Sequence, residues 1–279
     1  MAGFTSRDDL INEITGNGKQ DLWNFYKIAP SASQNVAGVW QTLWTGVGNP
    51  GAGSNPAATP GTVYDSDTSS IVSGSMYFAD RTPDQRYLLS FGAVATQNVT
   101  LMLYDRLAGV SGIGVSTTGS KTINSSALTR YSGTAATLNE AWLEVTTATA
   151  TTAPIVNLNS YTSADGSTAR TGGSVTFPST ATVATVMIQL PLDAAKQGVR
   201  SIEAGLNVGT AGSAGVVNVI IIRPLARIPL LANVWNEVSF LDDTMGLPRI
   251  YDNATLAVAL CAPASVTTTV WGTVNCAYG

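Results

Sequence analysis

The chain is expected to be all-β, an antiparallel β-sandwich or jelly roll with a short helical N-terminal arm. From Arg86 onward, short runs rich in Val, Ile, Thr and aromatic residues are separated by Gly, Pro, Asn and Ser turns, with no helical period between them. The one clear helix signal lies in residues 1–30. That segment also carries Arg7, Asp8, Asp9, Glu13, Lys19, Asp21 and Lys27, whereas residues 31–64 carry no charge. The expected division is an arm over 1–30 and a β body over 31–279.

Within the arm, Thr5 or Ser6 can cap a helix, with Asp8 or Asp9 placed for a capping box. Leu10, Ile11 and Ile14 form its apolar stripe, and Gly16-Asn17-Gly18 ends it. A helix of two turns is not stable alone in water, so it must lie on something. Leu22, Trp23, Phe25, Tyr26 and Ile28 follow as a dense apolar cluster, closed by Pro30. Such a cluster either covers one end of the β core or docks on a neighbouring subunit, since both settings favour large aromatics.

Val36 to Trp44 reads as the first strand, with Val39, Gln41 and Leu43 on one face and Trp40, Thr42 and Trp44 on the other. The Gly46 to Gly61 segment, interrupted by Pro50, Pro56 and Pro60, is an exposed uncharged loop. Further strands are expected at Tyr87 to Val94, Val99 to Tyr104, Trp142 to Thr147, Ile155 to Tyr161, Ser174 to Phe177 and Thr182 to Leu190. Val216 to Ile222 follows, apolar on both faces as a covered central strand would be, then Asn236 to Phe240, Thr255 to Cys261 and Val266 to Asn275. Gly109 to Asn139, poor in large apolar residues, reads as a surface excursion, and Gly209 to Gly215 as a hairpin loop.

Composition limits function. Charged residues make up 11% of the chain, against roughly 25% in an average domain. A surface of Thr, Ser and Ala is cheap to desolvate and suits a protein packed against others. The net charge of −4 and only four scattered lysines argue against direct nucleic-acid binding. No apolar run is long enough for a membrane span, and acidic residues stand where a signal peptide needs a basic start. The expected site of synthesis and assembly is therefore the cytoplasm. Cys261 and Cys276 read as two buried free thiols.

The chain contains no histidine, which removes Ser-His-Asp and Cys-His catalysis and His-ligated zinc. No catalytic residue, cofactor or metal site is assigned. Asp65-Ser66-Asp67 resembles the start of a calcium loop, but Ser70 and Met76 stand where an EF-hand needs Gly and Glu. Asp80, Arg81, Asp84 and Arg86 read as a hydrogen-bonded turn around Pro83, and Asp242 and Asp243 as another turn. Gly16-Asn17-Gly18-Lys19 lacks the hydroxyl residue and upstream glycine of a phosphate loop. The Asn98, Asn124 and Asn253 acceptor patterns carry no weight without an export signal. Arg223-Pro224-Leu225-Ala226-Arg227-Ile228-Pro229 is expected to leave the sheet as a stiff excursion. Its two arginines could hold a neighbour's carboxylate or form internal pairs with Asp242, Asp243 or Glu237.

Five stretches carry a resemblance: Met1 to Ile14, Leu103 to Ile113 (Leu-Tyr-Asp-Arg-Leu-Ala-Gly-Val-Ser-Gly-Ile), Leu143 to Thr147, Val234 to Phe240 and Leu247 to Asp252. Together they resemble structural proteins of tailed bacteriophages. The resemblance implies a virion component, foremost a capsid decoration or cement protein whose partners are the major capsid protein and copies of itself. Jelly-roll cement proteins are often trimers, so a homotrimer is implied too. A tail, baseplate or fibre-associated protein that contacts a host glycan is the alternative. The expected partner-binding residues are Phe4, Leu10, Ile14, Trp23, Phe25, Tyr26, Arg223 and Arg227, with the arm reaching to an adjacent subunit.

Overall fold

The structure, a computed structural model, describes residues 3–29, 36–123, 127–178, 184–241, 246–265 and 267–279. The expectations placed on Pro30, Asn124, Thr182, Asp242, Asp243 and Val266 lie outside the described residues. The elements run α1 (Arg7–Asn17), β1 (Gln20–Ile28), β2 (Trp40–Thr42), β3 (Gly48–Asn49), β4 (Thr62–Val63), β5 (Arg86–Ala95), β6 (Val99–Gly114) and β7 (Gly119–Lys121). After a 3-10 turn (Gly133–Leu138) come β8 (Glu140–Thr147), β9 (Ile155–Ser163), β10 (Val175–Thr176), β11 (Val186–Gln189), β12 (Val199–Thr210) and β13 (Val216–Leu230). The last four strands are β14 (Asn236–Ser239), β15 (Arg249–Ile250), β16 (Leu256–Cys261) and β17 (Thr269–Tyr278).

The all-β, antiparallel class holds, but the architecture is three sheets rather than two sheets face to face. The first runs β14-β5-β17-β1-β3, with β15 also on β5; the second runs β10-β9-β12-β7. The third runs β13-β8-β11-β2-β16-β6-β4, and β13 pairs again with β6, so six of its strands close into a barrel. Closure follows from length: β6 and β13 pair from Val99 opposite Leu230 to Gly114 opposite Val216, while β16 and β8 take their other edges.

Alternation then sorts side chains between two interiors. Met102, Tyr104, Trp142, Met187, Ile220, Ile222, Ala257 and Ala259 fill the barrel, joined by Trp44 and Tyr64. The opposite faces of the same strands carry Leu101, Leu103, Leu143, Val217, Val219, Ile221, Val258 and Leu260. These join residues of both other sheets in one continuous core. The predicted two-faced character of β13 is explained by this arrangement: one face lines the barrel and the other its outer core. Strand β2 is shorter than expected, yet Val39, Gln41 and Leu43 do face away from Trp40, Thr42 and Trp44.

The N-terminal segment is the largest departure. Ser6 caps α1, its Oγ accepting from the Asp9 N–H at 3.0 Å, while Asp9 Oδ2 accepts from the Thr5 N–H at 2.9 Å. Gly18, at φ 64°, closes the helix, and the Lys19 N–H reaches Glu13 O at 3.0 Å. The aromatic run after it is not part of a free arm. Residues 20–28 form β1 between β3 and β17, paired with the C-terminal strand from Gln20 opposite Ala277 to Ile28 opposite Thr269. Period-2 alternation places Trp23, Phe25 and Lys27 inward and Leu22, Asn24 and Tyr26 outward.

Three further expectations change. Gly109 to Gly114 continues β6, and the excursion that follows is pinned by buried Ile123, Leu128, Arg130 and Tyr131. Residues 211–215 join two sheets, because β12 pairs with β9 and β13 with β6 and β8, so they are no hairpin. Strand β12 itself has no clean sequence pattern, since bulges at 199–210 break its alternation. Pro224 and Pro229 do not push the chain out of the sheet. They lie beyond Ile222, the last residue of β13 paired with β8, where only β6 lies alongside and no N–H is needed on the other edge.

Removing residues 1–29 should therefore abolish cooperative folding, because it strips a strand from within a sheet and empties the place of Phe25. Removing residues 1–18 should leave the β body folded, at a cost of about 1–3 kcal/mol for uncovering Leu89 and Ala277. Thermal unfolding followed by circular dichroism separates the two; a cooperative transition in the 1–29 deletion would overturn the strand assignment.

Candidate functional site

The eight expected partner-binding residues do not gather on one surface. Leu10 is buried against Leu89 and Ala277, with Phe4 and Ile14 packed beside them. Phe25 is buried and stacks on Phe91 at 6.0 Å, and Trp23 meets Phe78 edge-on at 6.2 Å. These five stabilise their own chain. Tyr26 alone of the aromatic run faces outward, 5.6 Å from Trp271. Arg223 lies over the Tyr131 ring at 4.9 Å and donates to Ala135 O at 2.9 Å. Burial holds its pKa below the ordinary value. Arg227 is half exposed, 3.4 Å from Glu140 and 5.8 Å from the Trp40 ring centre. Glu237 pairs with neither arginine; its Oε2 lies 3.4 Å from Trp235 Nε1.

The charged residues read as turns mostly act as internal clamps. Asp21 receives Arg81 at 2.5 Å and Arg86 at 3.1 Å, Lys19 reaches Asp84 at 3.1 Å, and Arg86 also meets Asp252 at 3.2 Å. The turn around Pro83 thereby fastens the N-terminal segment to β5. Arg130 forks onto Asp105 with two contacts of 2.6 Å and reaches the backbone carbonyls of Tyr64 and Arg106. This clamp ties the excursion after β7 to β6. Asp67 accepts from the Ser69 and Ser70 N–H groups, and Asp65 from Thr129, Arg130 and Asn253, so both carboxylates are already engaged. Among the described residues no three His, Cys, Asp or Glu converge. Cys276 is buried and Cys261 half-buried; both are free.

Inside the barrel, Arg106 and Glu144 form a two-pronged pair at 2.6 Å on each prong, both side chains almost wholly buried. The guanidinium lies 4.9 Å from the ring centres of both Trp44 and Tyr64. Burial alone would lower the Arg106 pKa, but the Glu144 charge and flanking Tyr64 more than offset it and hold it well above the ordinary value. Burial pushes Tyr104, beside this pair, up to about 12. Sequence alone offered no sign of this pair, because Arg106 and Glu144 stand in separate strands and meet only on closure.

Lys27 is a buried cation of another kind from Arg86, Arg106 and Arg130, which all pair with carboxylates. Its Nζ donates to Gly46 O at 3.1 Å and Gly51 O at 3.0 Å, with no carboxylate beside it among the described residues, and burial lowers its pKa to about 8. It hooks the Gly46 to Gly61 loop to β1.

Two open surfaces stand out among the described residues. A groove of about 480 Å³ lies between the 3-10 turn, residues 192–198 and β13, with Leu138, Leu192 and Leu225 among its apolar lining and Arg227 and Lys196 also lining it. The outer face of the first sheet is covered by α1 only at the end formed by Leu89 and Ala277. No described helix is long and apolar enough to cross a membrane. Comparison of the chain with protein families, curated proteins and solved structures finds no match.

Glu144→Gln or Arg106→Met should each cost about 3–5 kcal/mol by leaving a buried group unpaired, whereas the double Arg106→Met, Glu144→Leu variant should recover most of that. Urea unfolding reads the cycle, and additive losses would refute the pairing. For Lys27 the folded pKa lies below the unfolded one, so the unfolded chain binds more protons between about 8 and 10.5. Stability should rise by roughly 3 kcal/mol across that window, being lowest below it. Lys27→Met should flatten this rise; equal pH profiles for the two proteins would show that Lys27 is not desolvated.

Proposed function

We propose that this chain is a structural component of a tailed-phage particle, a capsid decoration protein that binds the assembled shell alongside copies of itself in the host cytoplasm. The observation that carries this reading is the inward turn of its charge. Arg86, Arg106 and Arg130 have side chains at most 1% exposed, each spent on a carboxylate of the same chain. What faces outward is largely hydroxyl, small and apolar, a surface that costs little to desolvate. The five stretches that resemble phage structural proteins support the same reading.

The docking element is no longer the arm. The groove beside β13 fits better. Leu138 is 61% exposed at its edge, and the strand there has no partner on its outer edge among the described residues. An extended segment of a shell protein with an apolar anchor and an acidic residue would place the first against Leu138 and Leu225 and the second against Arg227. A tail, baseplate or fibre position is the second reading, favoured by the bare aromatic end of the first sheet.

Purified protein mixed with heads that lack it should bind to saturation. A Leu138→Asp, Arg227→Glu double variant should bind about tenfold or more weakly while keeping its unfolding midpoint. Undiminished occupancy by that variant would remove the groove from the reading, and particle images placing the chain on the tail would replace the first reading with the second.

A further inference from the structure

The outer face of the first sheet has two ends of different character. At one end α1 lies over Leu89 and Ala277. At the other, Tyr26, Trp271 and Val94 stand side by side on β1, β17 and β5, in direct register across three strands. Trp271 is 40% exposed and Trp235, just before β14, is 47% exposed. The Trp235 ring packs over β5 where that strand has a glycine: a Cβ on Gly92 would sit 2.5 Å from the indole. Gly92 faces Thr273, two residues along β17 from Trp271, so the two indoles occupy adjoining places on one face. Leaving two tryptophans out of a core that could bury them is costly unless something covers them.

The surroundings of the rings narrow the occupant. The next rows of the face carry Asn24 and Thr273, then Leu22, Asn275 and Ser90, amides and hydroxyls apart from the exposed Leu22 on β1. The single charge in these rows is Glu237, opposite Gly92, with Trp235 Nε1 at 3.4 Å. With no Lys or Arg in the rows, a phosphate or an acidic ligand finds no counter-charge and meets Glu237 instead. A second copy packed face to face would bury Glu237 and supply no cation for it, which is unfavourable. A neutral carbohydrate satisfies every part: the C–H face of a pyranose lies on an indole, and its hydroxyls donate to Glu237 and exchange hydrogen bonds with Asn24 and Thr273.

We propose that the Tyr26, Trp271 and Trp235 end of this face is a binding platform for a neutral glycan. Glu237 acts as the acceptor that orients the sugar, and Gly92 as the position that leaves room for the Trp235 ring. The platform stands apart from the β13 groove and does not depend on which part of a particle carries the chain.

The test is affinity electrophoresis of the full chain in native gels containing dextran, laminarin or galactomannan, with polygalacturonate as the anionic counterpart and sedimentation velocity on the same samples. At least one neutral gel should retard the protein. Trp271→Ala and Trp235→Ala should each weaken that retardation about tenfold, Trp271→Phe should retain most of it, and Gly92→Val should abolish it by displacing the Trp235 ring. Unfolding midpoints of the tryptophan variants should stay near that of the parent, since both rings lie on the surface. Lack of retardation in all three neutral gels, retardation unchanged in both alanine variants, or stronger retardation by polygalacturonate would each overturn the proposal. So would a concentration-dependent dimer lost in Trp271→Ala, which would assign the face to a second copy.

Discussion

The pairing of β6 with β13 is the constraint on which the rest of the molecule depends. Two strands of 16 and 15 residues run antiparallel through nearly their whole lengths, and the other edges of both are taken by β16 and β8. Once these edges are joined the sheet has an inside. Tyr104, Arg106 and Ile222 then face Trp142 and Glu144 across a closed space rather than solvent. The Arg106–Glu144 pair is tolerable only because that enclosure fixes both groups and places two aromatic rings over the guanidinium. The outer face of the same barrel supplies one wall of the core shared with the other two sheets.

The chain termini are locked together by a different means. Strand β1 lies between β3 and the C-terminal β17, so the first and last parts of the sequence meet in one sheet. Ion pairs from Arg81 and Arg86 to Asp21, and from Lys19 to Asp84, reinforce the seam from the turn before β5. Glycines settle the packing on its two faces. Gly272 leaves room for Phe25 inside, where a Cβ would sit 2.4 Å from the ring, and Gly92 leaves room for Trp235 outside. The charge-poor surface is the complement of this arrangement, since many of the ionisable groups serve as internal ties.

The helix cap, the two-faced apolar strand at Val216 to Ile222 and the facing of Val39 and Trp40 could all be read from local order. Each is set by residues within a few positions of one another. The strand at residues 20–28 could not, because its aromatic density masks an alternation that matters only when β17 lies alongside. The prolines of β13 misled for a related reason: a proline forbids a ladder bond only on the side where a partner exists, and the partner is chosen by the fold. Of the residues expected to bind a partner, Tyr26 and Arg227 reach the surface usefully. The others share their residue types, and type alone does not tell a docking aromatic from a core aromatic.

Composition and alternation therefore decide that this chain makes antiparallel sheets, with a capped helix at one end and no histidine-based chemistry. They act locally, through backbone preference and the period of side-chain burial. Closure of the barrel, the burial of Arg106 against Glu144 and the choice of which tryptophans stay outside are decided by contacts between segments far apart in the chain. No local pattern encodes these, because the free energy that selects them comes from enclosing surfaces that exist only after the strands have met.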